Sequence, residues 1–557
     1  MQRRFAVALV CAATTLTAPT AAQLAGTFLI DPSTSTAFQS FTEAVNALFV
    51  NGVNGPVEIL VAAGTYTESV LVPPITGASP ANPITFRPLQ GPGTVQLHGA
   101  SGDIFALLAI AFAHNGSLTF DGLEFTGAPG HAISATQFVG DIEIRNCVFT
   151  AGHQSTAQGE FRHAVLVSEN SGSDPGWRVH HNRITLSPYS NRTSYGIYLQ
   201  NGGNWEIHHN RFDLNGANYG LYLINNNLTL DTIYDNEFVG TLYATTSTSH
   251  NSVAVIRADI SNYGNEISHN TFAVTIPNNG CCIATGGYVS GSNTAQNYIW
   301  GNVFLVQGSG AAMTVSSSSS GTAPFIADGN VFWVPSGNVG LVGTNSSAIP
   351  YATLAGWQGA TGQDAASLAA DPLLVAPFAP APDLRPMPGS PVGGAAVNTP
   401  SYVVDDYAGR LRDAMPDAGA HESTSFALYG AGCPGSNSLV PAMGSTGTAA
   451  LGSTNFTIEL TQAPAGTLAI LFGGLSRTQS TAGPLPFPIG GGCEILAAPS
   501  APATFVTSAQ GAVSVAYPIP NSPALSGTDL FFQWAVIDPG SGSSYGITVS
   551  EGGALQL

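Results

Sequence analysis

An asparagine set between apolar residues returns along the middle of this 557-residue chain. The pattern of apolar residue, two others, Asn, any residue, apolar residue is complete at Val179-His-His-Asn182-Arg-Ile184, Ile207-His-His-Asn210-Arg-Phe212 and Ile233-Tyr-Asp-Asn236-Glu-Phe238. It is complete again at Ile267-Ser-His-Asn270-Thr-Phe272 and Ile299-Trp-Gly-Asn302-Val-Phe304, and Asn330-Val-Phe332 keeps its second half. Earlier copies carry Leu123 and Cys147 at the Asn place. The steps average about 30 residues, a period that belongs to a solenoid whose units bury their apolar faces against their neighbours.

Before each Asn lies a short alternating segment, as in Gly196-Ile-Tyr-Leu199, Gly220-Leu-Tyr-Leu223 and Ser252-Val-Ala-Val255. Period-2 alternation reads as a strand with one buried face, and helical 3.6-residue periodicity is missing between these segments. Each repeat therefore holds about three short strands. Like strands stacked at ~4.8 Å per coil bury one continuous apolar column. Asn suits the corner between two strands because it tolerates the left-handed backbone and can hydrogen-bond to its copies above and below.

The coil pattern resembles the right-handed parallel β-helix, or pectin-lyase-like, superfamily, and the resemblance covers roughly residues 24–422. Phe38-Gln-Ser-Phe-Thr-Glu-Ala-Val-Asn-Ala-Leu-Phe49 is an amphipathic stretch suited to a capping helix, about residues 38–50. Asp371-Pro-Leu-Leu374, Asp383-Leu-Arg-Pro-Met-Pro-Gly-Ser-Pro391 and Asp406-Tyr-Ala-Gly-Arg410 through Gly419-Ala-His-Glu422 resemble the closing segment (371–422) of secreted bacterial β-helix proteins. Such an end covers a coil whose strand edges would otherwise be open. The expected fold class is all-β: a β-helix over residues 23–424, then a β-sandwich over 425–557, where alternating runs such as Phe456-Thr-Ile-Glu-Leu460 sit between Gly, Pro and Ser turns. Tyr429-Gly-Ala-Gly-Cys-Pro-Gly-Ser436 with Gly492-Cys493 resembles an uncharacterised tail of other secreted bacterial proteins and implies no activity.

Arg3 and Arg4, the apolar run Phe5 to Leu16 and Thr20-Ala21-Ala22 form the layout of a secretory signal peptide over residues 1–22, so the expected location is secreted, extracellular or at the cell surface. The run is shorter than the ~20 apolar residues of a spanning helix, and no membrane span is expected. The chain has 14 basic and 33 acidic residues, and every basic one is Arg. That balance argues against nucleic acid and disfavours polyanionic substrates. In an oxidising compartment Cys433 and Cys493, which share the C-terminal domain, are expected to pair. Cys147 lies five coils from Cys281 and Cys282, ~24 Å along the column, so no bridge can join them. Cys147 reads as a buried thiol, and the adjacent pair as reduced thiols or a vicinal disulfide.

The chemistry-bearing residues mostly read as structure. The row His180, His181, His208, His209 and His269 invites a metal, but Tyr234 and Asp235 interrupt it, and stacking explains it without one. Asp405, Asp406, Asp413 and Asp417 could coordinate Ca²⁺; Asp406, Arg410 and Glu422 instead match the closing-segment pattern and read as a structural ion-pair set. No cofactor or metal is expected. Ser316 to Ser320 read as a solvated turn.

The superfamily resemblance implies a site on the outer face of the strand before the first turn. With Ile197, Leu199, Leu221 and Leu223 inward, Tyr198 and Tyr222 point outward on adjacent coils as a two-ring platform for sugar. Arg162, Arg192 and Arg257 border this strip, with Glu160 and His250 in flanking loops. The rival reading is an external stack that stiffens the sheet. Without Lys, a Lys-based lyase cannot operate, and the family's paired-Asp hydrolase signature is missing; an Arg-based lyase would need an Arg of lowered proton affinity or a metal to acidify the substrate. Catalytic residues are therefore unassigned, and so is enzyme status, with polysaccharide lyase or glycoside hydrolase as the classes if one operates. The functional expectation is a secreted β-helix protein that binds extracellular polysaccharide, with cleavage a separate step left open; the alternative is a non-catalytic surface, adhesion or structural protein presenting its sandwich domain.

Overall fold

The computed structural model describes residues 23–99, 106–110, 116–127, 131–136, 140–150, 162–169, 176–187, 193–200, 203–224, 230–243, 253–259, 264–277, 279–286, 296–315, 317–318, 321–322, 325–343, 347–387, 390–423, 425–436, 438–447, 449–525 and 528–557. The expected signal peptide, Glu160, Arg192 and His250 lie outside them, as does the side chain of Arg162. Three 11-stranded sheets run the length of the column. Sheet A extends from Leu24–Ile30 to Phe325–Asp328, sheet B from Gly64–Thr67 to Leu368–Ala369, and sheet C from Val70–Val72 to Ile349–Tyr351. Pairing is parallel except for the last pair of sheet C, and successive coils stack in register, as with Phe212, Phe238, Phe272, Phe304 and Phe332 in sheet B. Those rings stack at centroid spacings of 4.8 to 5.1 Å. Each contributes about 1.5–3 kcal/mol by leaving water.

At the corner between sheets A and B, the Asn ladder is fully formed and buried. Oδ1 of Asn236 accepts from the backbone N–H and the Nδ2 of Asn210, both at 3.0 Å. Its own Nδ2 donates to the Ile207 and Tyr234 carbonyls and to Asn270 Oδ1, at 2.8, 2.9 and 2.9 Å. The same bonding links Asn182, Asn210, Asn270, Asn302 and Asn330. The left-handed residue, however, is the one before the ladder place: Gly122, Asn146, His181, His209, Asp235, His269, Gly301 and Gly329 all have φ between 51° and 72°. The expectation that the Asn itself takes this conformation is thus corrected. The ladder side chain must reach inward to bond its copies, and the sharp turn that aims it is made one residue earlier.

Both ends of the column are closed by helices. Helix α1 (Phe41–Asn51) is capped by Ser40, which accepts from the Glu43 N–H at 3.0 Å, and it lays Phe41, Ala44, Val45 and Leu48 over the first coil. Helix α2 (Leu354–Thr361), not legible as a helix in the sequence, places the fully buried Trp357 over the last coil. A Cβ on Gly340 would lie 2.2 Å from that indole, so only Gly seats it there. Trp357 Nε1 donates to Asp364 at 2.8 Å, and Asp364 also accepts from Asn330 Nδ2 at 2.9 Å, which terminates the ladder.

The closing segment packs its hairpin (Leu374–Ala376 with Asp383–Pro386) against sheet B and then crosses the ladder corner. Its organising cation is Arg412, not Arg410. Buried Arg412 donates to Asp235, to Glu422 at 2.9 Å, and to the Asp417 and Gly419 carbonyls. Asp406 accepts backbone N–H groups of Ala408, Arg410 and Glu422, while the Arg410 guanidinium faces Asp529 and the Leu557 carbonyl. The expected Asp406–Arg410–Glu422 ion-pair set is therefore corrected: motif spacing located the segment, but not which guanidinium turns inward. From Ser425 onward the strands are antiparallel, in sheets of five and three that enclose Phe456, Ile458, Phe532, Trp534 and Leu555, the arrangement of a β-sandwich. Cys433 and Cys493 are bonded there, while Cys147, Cys281 and Cys282 are buried free thiols.

Candidate functional site

Alternation along sheet C sorts the nominated residues by face. Ile197, Leu199, Leu221 and Leu223 lie in the column core, and Tyr198 pairs in register with Tyr222 on the outer face. Tyr222 in turn registers with Arg257, and Tyr195 with Tyr219. The open platform is not present. Tyr198 is 1% exposed, and it meets Tyr222 edge-on at 82° rather than in a shared plane. The faces of Tyr222 are occupied by Tyr219 and Tyr195, stacked at 5.1 and 5.7 Å, and by the Arg257 guanidinium 4.9 Å from its centroid. Period-2 alternation reports which side of a sheet a residue takes, not what covers that side.

What remains accessible is a half-buried polar edge. Arg257 Nε donates to Asp259 Oδ2 at 3.1 Å, and the Tyr222 hydroxyl donates to the same oxygen at 3.3 Å. One coil away the Tyr198 hydroxyl donates to Gln200 Oε1 at 3.0 Å. Burial and the Asp259 carboxylate push the Tyr222 phenol well above its ordinary value. Burial opposes the Arg257 cation, but Asp259 and the phenols outweigh it and raise its proton affinity. The lowered affinity that an Arg-based lyase requires is contradicted at this residue. Asp259 escaped the sequence reading although Arg257-Ala258-Asp259 already placed both charges on one face; Tyr195 and Tyr219 escaped it because each lies three positions, an odd step, before Tyr198 or Tyr222.

The histidines stand at the corner between sheets A and B. His180 and His208 stack at 4.8 Å, His208 and Tyr234 at 4.7 Å, and His181 and His209 at 4.8 Å. Within each coil the neighbouring imidazoles are hydrogen-bonded through their Nδ1 atoms, at 2.9 Å for His180 with His181 and 2.8 Å for His208 with His209. Glu143 faces His180 Nε2 at 3.1 Å, and this bond holds its carboxyl down at about 2. Burial and neighbouring imidazoles pull His181 down to about 4 and His208 to about 2. For His209 burial is outweighed by Asp405, 3.5 Å away, and its proton affinity rises. Asp406, Asp413 and Asp417 each accept backbone N–H groups.

The profile of one family, described as periplasmic copper-binding protein (NosD), matches residues 137–254, well under half of the chain. Among solved structures, rice weevil pectin methyl esterase is similar at 13% identity over 57% of this chain and 82% of its own, with a TM-score of 0.25. The enzymatically active domain of bacteriophage CBA120 tailspike protein 2 is similar at 10% identity over 93% of this chain and 73% of its own, with a TM-score of 0.18. Superpositions this loose carry no functional argument. No curated protein matches the chain. The residues present do not fit copper. Each imidazole pair spends an Nδ1 lone pair on its neighbour, whereas a copper centre needs several donors converging on one point. No three His, Cys, Asp or Glu side chains converge in this way among the described residues. Repeat, sheet topology and matched profile agree on the architecture: the chain is a right-handed parallel β-helix protein.

Proposed function

We propose that this protein acts outside the cytoplasm, binding a neutral or weakly charged polysaccharide along the outer face of sheet C without cleaving it. The observation that carries the reading is the half-buried group of Tyr222, Arg257 and Asp259, with Gln200 beside it. A phenol, a guanidinium and a carboxylate held in fixed geometry can exchange hydrogen bonds with sugar hydroxyls, while the tyrosine edges offer apolar contact. Binding without cleavage follows from the same contacts. Asp259 is engaged by two donors, Tyr222 holds its proton, and Arg257 stays charged, so none is poised as a general base. The N-terminal apolar run and the periplasmic description of the matched family support the location. No helix among the described residues is long and apolar enough to cross a membrane.

Buried Tyr198 is unsuited to a binding test, since truncating it would cost about 3–5 kcal/mol of stability, like other buried aromatics. The better variants are Arg257→Gln and Asp259→Asn. On a glycan array each should bind at least tenfold more weakly than the parent, and chromatography should show no shortening of the bound glycan. Glycan binding that survives both substitutions would remove this site. A parent that binds no glycan would remove the reading and favour the structural or adhesive one.

A further inference from the structure

The outer row of sheet B runs Asp213, Val239, Ala273, Leu305, Trp333 in register. The closing hairpin covers Val239, Ala273 and Leu305 with Leu374 and Leu384. It stops one coil short of Trp333, whose indole is left 37% exposed. Between them lies an open cleft of about 290 Å³ lined by Trp333, Phe378, Met387, Leu373, Gln307 and Asp371. Phe378, Met387 and Leu373 are themselves 38 to 40% exposed, so apolar surface is concentrated here beside two polar side chains. Asp371 accepts the Leu373 N–H at 3.0 Å through Oδ1.

We propose that this cleft binds one ring of a neutral sugar chain, as a second contact separate from the sheet C strip; the proposal rests on the polysaccharide reading above. The volume is at the lower end for a ligand pocket, which suits a single pyranose rather than a larger molecule. A pyranose carries an apolar C–H face and a rim of hydroxyls. An exposed indole and phenyl match the first, and the carboxamide of Gln307 and carboxylate of Asp371 match the second. A purely apolar occupant would strip water from both polar groups without replacing it. An anionic sugar would meet the Asp371 carboxylate with no Arg in the lining, on a chain of net charge −19.

The six tryptophans make the test local. Trp177, Trp205, Trp357 and Trp534 are fully buried, and Trp300 is half-buried on sheet A outside the cleft, so a ligand in the cleft shields Trp333 and the change is read at that residue. The full-length chain is titrated with neutral oligosaccharides of cello, xylo, manno and laminari type. Ligand should protect the parent's fluorescence from acrylamide, and Trp333→Phe should abolish that protection. Trp333→Ala and Phe378→Ala should each weaken binding at least tenfold with unchanged melting temperature. If the parent binds sugar and both cleft variants bind equally well, the cleft proposal fails and the polysaccharide reading stands. If the parent binds none of the oligosaccharides, both fall together.

Discussion

Asn236→Ala tests the ladder at its centre. The substitution deletes five side-chain hydrogen bonds, but most partners keep another. Asn270 Oδ1 still accepts the residue 236 N–H at 3.1 Å, Asn210 Nδ2 still donates to the Val179 and His208 carbonyls, and the Tyr234 carbonyl still accepts from the His209 N–H. The group left without a partner is the Asn210 backbone N–H, at a place with no access to water, while the Ile207 carbonyl keeps its place in the parallel ladder with the strand of Ile233. An orphaned buried polar group costs about 1–3 kcal/mol, and the variant should lose roughly that amount. Guanidinium unfolding followed by tryptophan fluorescence reads this as a lower midpoint of the column transition, with the buried Trp177, Trp205 and Trp357 as its reporters. A change below about 0.5 kcal/mol would refute the reasoning, because it would mean that water or a relaxed backbone replaces the ladder at no cost.

Three further outcomes are expected. Burial pushes the Glu422 carboxyl up to about 8 from an ordinary 4.5, so the folded state binds the extra proton. Its contribution is complete below the unfolded value and is lost as pH rises through about 8. The unfolding midpoint should therefore fall between about pH 5 and pH 8, with a slope of up to ~1.4 kcal/mol per pH unit, and level off above that; Glu422→Gln should flatten this portion of the curve. Cys433→Ser should cost the sandwich about 4 kcal/mol, from reopening a loop of 60 residues, with little effect on the column. Thiol titration of the native parent should find Cys147, Cys281 and Cys282 unreactive, since burial holds the first two near 12 and raises the third. A fast-reacting thiol in the native state would contradict their placement.

The column was legible in the sequence because its forces are local and periodic. One rung repeats every coil, so the apolar residues at Ile207, Ile233 and Ile267 and the Asn beside them announce the register without any long-range knowledge. The disulfide was legible for a similar reason, both cysteines lying within one small domain. What failed was aperiodic. Arg412 and Arg410 differ by a single turn of backbone, yet one is buried between two carboxylates and the other faces the sandwich. Tyr198 reads as outward and is outward, but its burial depends on neighbours that its own strand does not encode. Helix α2 was missed because its eight residues include two glycines; a cap at Thr353 and the docking of Trp357 hold it instead.

The bonds that hold the closing segment join residues very distant along the chain. Arg412 reaches Asp235 across 177 positions, His421 reaches Glu237 across 184, and the Ala420 N–H reaches Thr271 across 149. Coils can add to one another by short loops as the polypeptide emerges, but these contacts cannot form until residue 422 has been made, and closing so long a loop is slow. Assembly then has a fixed order, with a column that grows first and a belt that fastens last. Once fastened, the belt is bonded to neighbouring coils of the ladder corner through Asp235, Glu237 and Thr271, so loosening of the coil that carries Asp235 must release its ion pair with Arg412. Part of the resistance to unfolding thus resides in a segment outside the column's own stacking.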